Sequence, residues 1–117
     1  MATHLERGKA SEDRACAFLQ AQGLSLLTRN FSCRLGEIDL IMRDKETLVF
    51  IEVRYRVSDS HGGAAATVTL SKQRKLVKAA QVYLQTRSHY QDLPCRFDVL
   101  AMDGANRVEW IQDAFQL

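Results

Sequence analysis

Residues 36–56 read GEIDLIMRDKETLVFIEVRYR, and this stretch decides the fold. Two apolar runs, Gly36 to Arg43 and Thr47 to Arg56, flank a polar break at Asp44–Glu46, the pattern of a β-hairpin. Side chains alternate between the faces of a strand. The first run therefore places Ile38, Leu40 and Met42 on one face and Glu37, Asp39 and Ile41 on the other. In the second run Val49, Ile51, Val53 and Tyr55 share a face, opposite Glu52, Arg54 and Arg56. With a loop from Asp44 to Thr47, Arg43 pairs with Leu48 and Asp39 falls directly opposite Glu52. Cβ atoms of opposed residues lie about 5 Å apart, where like charges destabilise the pair. Two carboxylates held that close need a cation between them, or one of them takes up a proton. Mg²⁺ favours one or two carboxylates completed by waters and phosphate oxygens, so this geometry makes a small open metal site. The alternative from spacing alone is a solvated ladder in which Arg54 and Arg56 neutralise the acids.

Outward from the hairpin, the N-terminal segment carries Leu5, Ala10, Ala15, Phe18, Leu19 and Ala21 near helical spacing, with Gly23 as a stop. Thr3 and Glu6 have the spacing of a capping box. Leu24 to Cys33 reads as a strand, and Val57 to Leu70 as a turn-rich, mobile loop. Ser71 is placed to cap a second helix running to about Arg87, with Leu76, Ala79, Ala80, Tyr83 and Leu84 as its inner face. Arg96 to Met102 and Arg107 to Ile111 read as closing strands around a turn at 103–106. The predicted class is α/β, in the order αβββαββ, with one mixed sheet flanked by helices. A chain of 117 residues fits a single domain over 1–117.

Composition adds bounds. No apolar run reaches the length of a membrane-spanning helix, and the charged N-terminal segment lacks a signal-peptide core, so a cytoplasmic setting without membrane partners is expected. Cys16, Cys33 and Cys95 form no paired motif and read as buried or half-buried free thiols. His4, His61 and His89 lack ligand spacing. The net charge of +2 is unevenly spread. Residues 54–89 hold seven basic side chains against Asp59 alone, a plausible footprint for a phosphate backbone. Within it Lys72, Gln73, Arg74, Lys75 and Lys78 open the second helix, where amides and cations suit phosphate, although a solvated helix face has the same composition. Arg56 extends the basic set, Tyr55 falls by parity on the apolar face, and Trp110 and Phe115 read as core or a packing cap.

The spacing D-x(12)-E-x-R at Asp39, Glu52 and Arg54 resembles the bipartite motif of the PD-(D/E)xK nuclease superfamily. More closely, Gly8 and Glu12, Arg29-Asn30, GEIDLI at 36–41, F-x-E-V-R-x-R at 50–56, S-K-Q at 71–73, R-F-D at 96–98 and D-A-F at 113–115 resemble the YraN-type endonuclease-like family, which is similar in pattern to archaeal Holliday junction resolvases. The resemblance spans nearly the whole chain. It implies a restriction-endonuclease-like fold and a Mg²⁺- or Mn²⁺-dependent endonuclease acting on branched or otherwise structured DNA. It further implies that Asp39, Glu52 and the Val53 carbonyl ligate the metal, with Glu12 reaching the site directly or through a water. Arg54 stands where such nucleases usually carry lysine; arginine cannot act as a base but can orient water and stabilise developing charge. Symmetric cutting of a junction would require a homodimer. Two other readings stay open: a non-catalytic nucleic-acid-binding module, and a protein-interaction domain that retains the fold.

Overall fold

The computed structural model describes residues 4–56, 68–105 and 107–116, with the backbone alone at 4–7 and 56. Helix α1 (His4–Ala21) leads into strands β1 (Ser25–Cys33), β2 (Gly36–Asp44) and β3 (Thr47–Arg56). Helix α2 (Leu70–Gln85) and a short 3₁₀ turn at Ser88–Tyr90 precede β4 (Cys95–Asp103) and β5 (Val108–Phe115). The expected order of helices and strands is thus observed. The five strands form one sheet in chain order, antiparallel except for β3 against β4, the pair bridged by α2. No helix among the described residues is long and apolar enough to cross a membrane.

Alternation along β3 divides the core in two. Leu48 and Phe50 pack with Leu76, Ala79, Ala80 and Tyr83 of α2, whereas Val49 and Ile51 pack with Ala15, Cys16 and Leu19 of α1. The α1 stripe differs from expectation: Ser11, Ala15, Cys16 and Leu19 are buried, Phe18 is half-buried, and Ala10 and Ala21 are exposed. Small alanines mark no face by themselves, and burial follows the i, i+4, i+8 row of residues 11, 15 and 19. The helix closes where expected, with Gly23 at φ 102° and Leu24 N–H donating to the Leu19 carbonyl at 3.1 Å. At α2 the cap is Thr69 instead of Ser71, its Oγ1 accepting from the Lys72 N–H at 3.2 Å, because the helix starts two residues earlier than read. The proposed Thr3–Glu6 box, the loop at 57–67 and the tip of the last turn at Asn106 lie outside the described residues.

Two further departures share a cause. Ile38 packs in the α2 cluster while Leu40 and Met42 pack against α1, so the expected common face is broken between them. Facing this point on β1, Asn30 sits at φ 53° between the pairs Arg29↔Leu40 and Phe31↔Ile38. A left-handed residue inside a strand turns the pleat, and asparagine tolerates that conformation better than most. The far end of the β1–β2 hairpin thereby curls onto α2, bringing Gly36 so near that a Cβ there would lie 2.9 Å from the Lys75 carbonyl oxygen.

Another left-handed residue within a strand, Asp113 at φ 53°, hides the true length of β5, which continues beyond Ile111 to Phe115. Its N–H donates to Asp98 Oδ1 at 2.9 Å, and Phe115 re-enters the ladder opposite Phe97, stacking on it with centroids 5.0 Å apart. Asp98, with 0% exposure, also accepts from Arg96 Nε at 3.1 Å and Trp110 Nε1 at 2.9 Å. The R-F-D and D-A-F motifs are therefore two sides of one buried clasp joining β4 to β5. The readings of Trp110 and Phe115 as packing residues hold, and all three cysteines are free thiols, Cys16 buried and the others half-buried. Tyr55 departs from its reading: it is 37% exposed, because the α1 cluster reaches only as far as the half-buried Val53.

Candidate functional site

The β2–β3 hairpin has the inferred register, with Arg43 opposite Leu48, closed by a two-residue turn at Lys45-Glu46. Lys45 takes φ 56°, and its carbonyl accepts from Arg43 Nε at 2.8 Å. The ladder ends at Leu40↔Ile51, one step before Asp39 and Glu52 would have paired. There the strands part. Asp39 Oδ2 accepts from the Val53 backbone N–H at 2.8 Å, so a side chain takes the bond that the next carbonyl would have supplied. The expected direct opposition of Asp39 and Glu52 is corrected accordingly: both carboxylates border a notch between diverging strands.

Glu52 is only 6% exposed, and its carboxyl is pushed up to about 7, first by burial and next by the Asp39 charge. Lys72 and Arg54 oppose that rise: Lys72 Nζ lies 4.0 Å from Oε2 and Arg54 Nε 3.6 Å from Oε1, neither close enough for a hydrogen bond. Asp39 is raised by burial and restrained by the Val53 N–H and by Lys72. Glu12 approaches from α1 and is also raised, by burial and then by Asp39. Its Oε1 is buried without a hydrogen-bond partner among the described residues, with Arg29 Nη2 4.0 Å away. Asn30 bonds the Glu12 side chain, and Arg29 is engaged by Asp13 at 2.7 Å. Glu37 is exposed, and its charge adds to the rise at all three acids.

Glu12, Asp39, Glu52 and Arg54 are thus brought into one electrostatic neighbourhood by three elements. Among the described residues no three of His, Cys, Asp or Glu form a ready-made metal cage. The basic residues separate along α2. Lys72 faces the acids, whereas Gln73 turns its amide to the Val68 carbonyl at 3.1 Å. Lys75, exposed, carries the backbone that meets Gly36. Arg74 and Lys78 line a surface groove of about 400 Å³ with Leu70, Val77, Gln81 and Gln116. The Arg56 side chain lies outside the described residues. The sequence marked Lys72 only as one cation in a run, and gave Asn30 and Arg29 no role. The signal for Lys72 would have been the S-K-Q triplet beginning two residues after the cap, but its direction depends on how α2 docks.

The family model of uncharacterised protein family UPF0102 matches residues 11–102, a span that holds every one of these acids and cations. A UPF0102 protein of Nitrosococcus oceani is 51% identical, covering 99% of this chain and 96% of its own length. One from Saccharophagus degradans is 52% identical over 100% and 98%, and one from Ralstonia nicotianae 56% identical over 92% and 85%. The YraN-type motifs pointed to this family. With a match of that extent, the protein belongs to uncharacterised protein family UPF0102.

Proposed function

We propose that the protein is a divalent-metal-dependent endonuclease, a single restriction-endonuclease-like domain over residues 1–117 that hydrolyses phosphodiester bonds in structured or branched DNA in the cytoplasm. The observation that carries this reading is the repelling pair of half-buried Asp39 and buried Glu52 at the point where β2 and β3 part, with cations beside it. Charge buried against like charge is costly, and folds keep it where a ligand relieves it.

The residues fit Mg²⁺ or Mn²⁺. The donors are all oxygen, the choice of hard cations, and two carboxylates with waters satisfy Mg²⁺ without a three-acid cage. The unpartnered Glu12 Oε1 supplies a further acceptor at the edge of the same neighbourhood. Held by Asp39, Glu52 and the Val53 carbonyl, such an ion would neutralise the pair and lower the pKa of an attacking water. In the hydrolysis one water is consumed: its oxygen bonds to phosphorus, a phosphorus–oxygen ester bond breaks, the leaving oxygen takes up one proton to become a hydroxyl, and the second proton passes to solvent. Glu12 is suited to orient water, and Arg54 to hold positive charge beside Glu52. Arg74, Lys75 and Lys78 extend positive charge along α2 for the phosphate backbone, with Arg56 on β3 adding to the same basic set. Symmetric cutting of a junction calls for a homodimer. The test is cleavage of branched DNA in Mn²⁺: Asp39→Asn and Glu52→Gln should each abolish it while DNA binding persists, and cleavage surviving both changes would refute the site.

A second reading, nucleic-acid binding without turnover, is favoured by Arg54 and by the lack of a three-acid cage among the described residues. It expects wild-type protein to bind DNA with affinity that falls steeply with salt, without cutting. Affinity unchanged from low to moderate salt would count against it.

A further inference from the structure

We infer that Lys72, delivered by α2, is the side chain that touches the reacting phosphate, and that Arg54 acts behind it as a fixed counter-charge; this rests on the endonuclease reading. Among the described residues Arg29, Arg54 and Lys72 lie beside the acids. Arg29 is held by Asp13 at 2.7 Å. Arg54 shares β3 with Glu52, and its Nε is buried 3.6 Å from Oε1 although its side chain is 33% exposed, much as Lys72 is. Lys72 comes from another element, is partly exposed, and stands 4.0 Å from Oε2. It also weighs more than Arg54 on both Glu52 and Asp39.

That position is built by its neighbours. Thr69 Oγ1 accepts from the Lys72 N–H, fixing the first turn of α2. Gln73 Nε2 donates to the Val68 carbonyl, holding the segment that enters the helix. Gly36, lacking a side chain, lets α2 settle on the β1–β2 hairpin. Residues 70–85 contain no acid, so nothing on α2 itself competes for the ammonium. A phosphate approaching two carboxylates is repelled by both. A lysine with three donors, held beyond hydrogen-bond distance from Glu52, offers the compensating contact without first breaking a strong one.

The experiment uses the full chain, Mn²⁺ and whichever branched DNA the wild type cuts, with Lys72→Ala, Lys72→Arg and Arg54→Ala. Lys72→Ala should lower kcat about 100-fold, the usual cost of one donor to developing charge, with KM little changed. Mn²⁺ titrated calorimetrically into Lys72→Ala should bind as tightly as to wild type or about fivefold tighter, since a competing cation is gone. Lys72→Arg should restore most of the rate, because the role needs a charged donor and no proton transfer. Arg54→Ala should lose Mn²⁺-independent thermal stability along with rate. A merely structural Lys72 would lower melting temperature, Mn²⁺ affinity and rate together. Cleavage by Lys72→Ala at the wild-type rate, or failure of Lys72→Arg to recover activity, would overturn the assignment while leaving the endonuclease reading intact. No cleavage by wild type would bring down that reading, and this role with it.

Discussion

Glu52→Gln should stabilise the metal-free protein above neutral pH, although it removes the most deeply placed acid of the site. Glu52 is 6% exposed and its carboxyl sits at about 7 instead of 4.5, through burial and the Asp39 charge, with Glu37 adding to the rise and Lys72 and Arg54 opposing it. A folded-state value above the unfolded one means that the folded protein holds this proton more tightly. Below pH 4.5 both states are protonated and no cost arises. Between 4.5 and about 7 stability falls as pH rises, and above that the full cost of the buried charge is present. At about 1.36 kcal/mol per pKa unit that cost is about 3 kcal/mol. The amide substitute is still buried and gives up its attraction to Lys72 and Arg54, so the expected gain at pH 8 is about 1–3 kcal/mol, or roughly 4–12 °C in melting temperature. The assay is urea or thermal denaturation from pH 4 to 8.5 in a chelator, repeated with Mn²⁺, which should raise the wild-type melting temperature at pH 8 and leave the variant unmoved. A wild-type profile that does not fall between pH 4.5 and 7, or a variant melting below wild type at pH 8, would refute the reasoning.

Two structural predictions accompany it. Asp98→Ala strips three donors, the Arg96 guanidinium among them, of a fully buried acceptor and should cost about 3–5 kcal/mol, with a shift in Trp110 fluorescence; a loss under 1 kcal/mol would show that the clasp contributes little. Gly36→Ala places a methyl 2.9 Å from a backbone oxygen that cannot swing aside, so it should cost about 1–3 kcal/mol and speed amide exchange in the first turns of α2, whereas an unchanged exchange pattern would mean that the hairpin and helix are not in firm contact.

Much of the fold was legible because its signals are local. Alternation identified the β2 and β3 runs, and their polar break set the register from Arg43↔Leu48 onward. Two of the departures are places where a non-glycine residue takes a left-handed conformation. Asn30 turns β1 and separates Ile38 from the face of Leu40; Asp113 interrupts β5 and makes it look finished at Ile111. Asparagine and aspartate tolerate this conformation but do not require it, and each is stabilised from a distance: Asn30 bonds Glu12 on α1, and the Asp113 N–H bonds Asp98 on β4. Tyr55 failed for the complementary reason. Parity gives a side, but burial requires a helix above that side, and the helix position is a tertiary fact.

The candidate site was legible in its acids and in Arg54 but not in the placement of Lys72 beside Glu52, and one feature of the hairpin explains both. Asp39 and Glu52 fall on the same register line as every pair from Leu40↔Ile51 to Asp44↔Thr47, so the twelve residues between them follow from a ladder closed by a two-residue turn. Inserting one residue in that turn would slip the ladder and send one carboxylate to the opposite face. Acidic spacing is therefore written in the chain by strand geometry. Lys72 has no such ruler: 19 residues lie between it and Glu52, 11 of them in a segment beyond the described residues, and its place beside Glu52 is set by the Thr69 cap and the Gly36 contact. The parting of β2 from β3 at Asp39 is what leaves room for that lysine. Had the ladder continued, a backbone carbonyl would have met the Val53 N–H, and the notch into which Lys72 reaches would have been closed by paired strands.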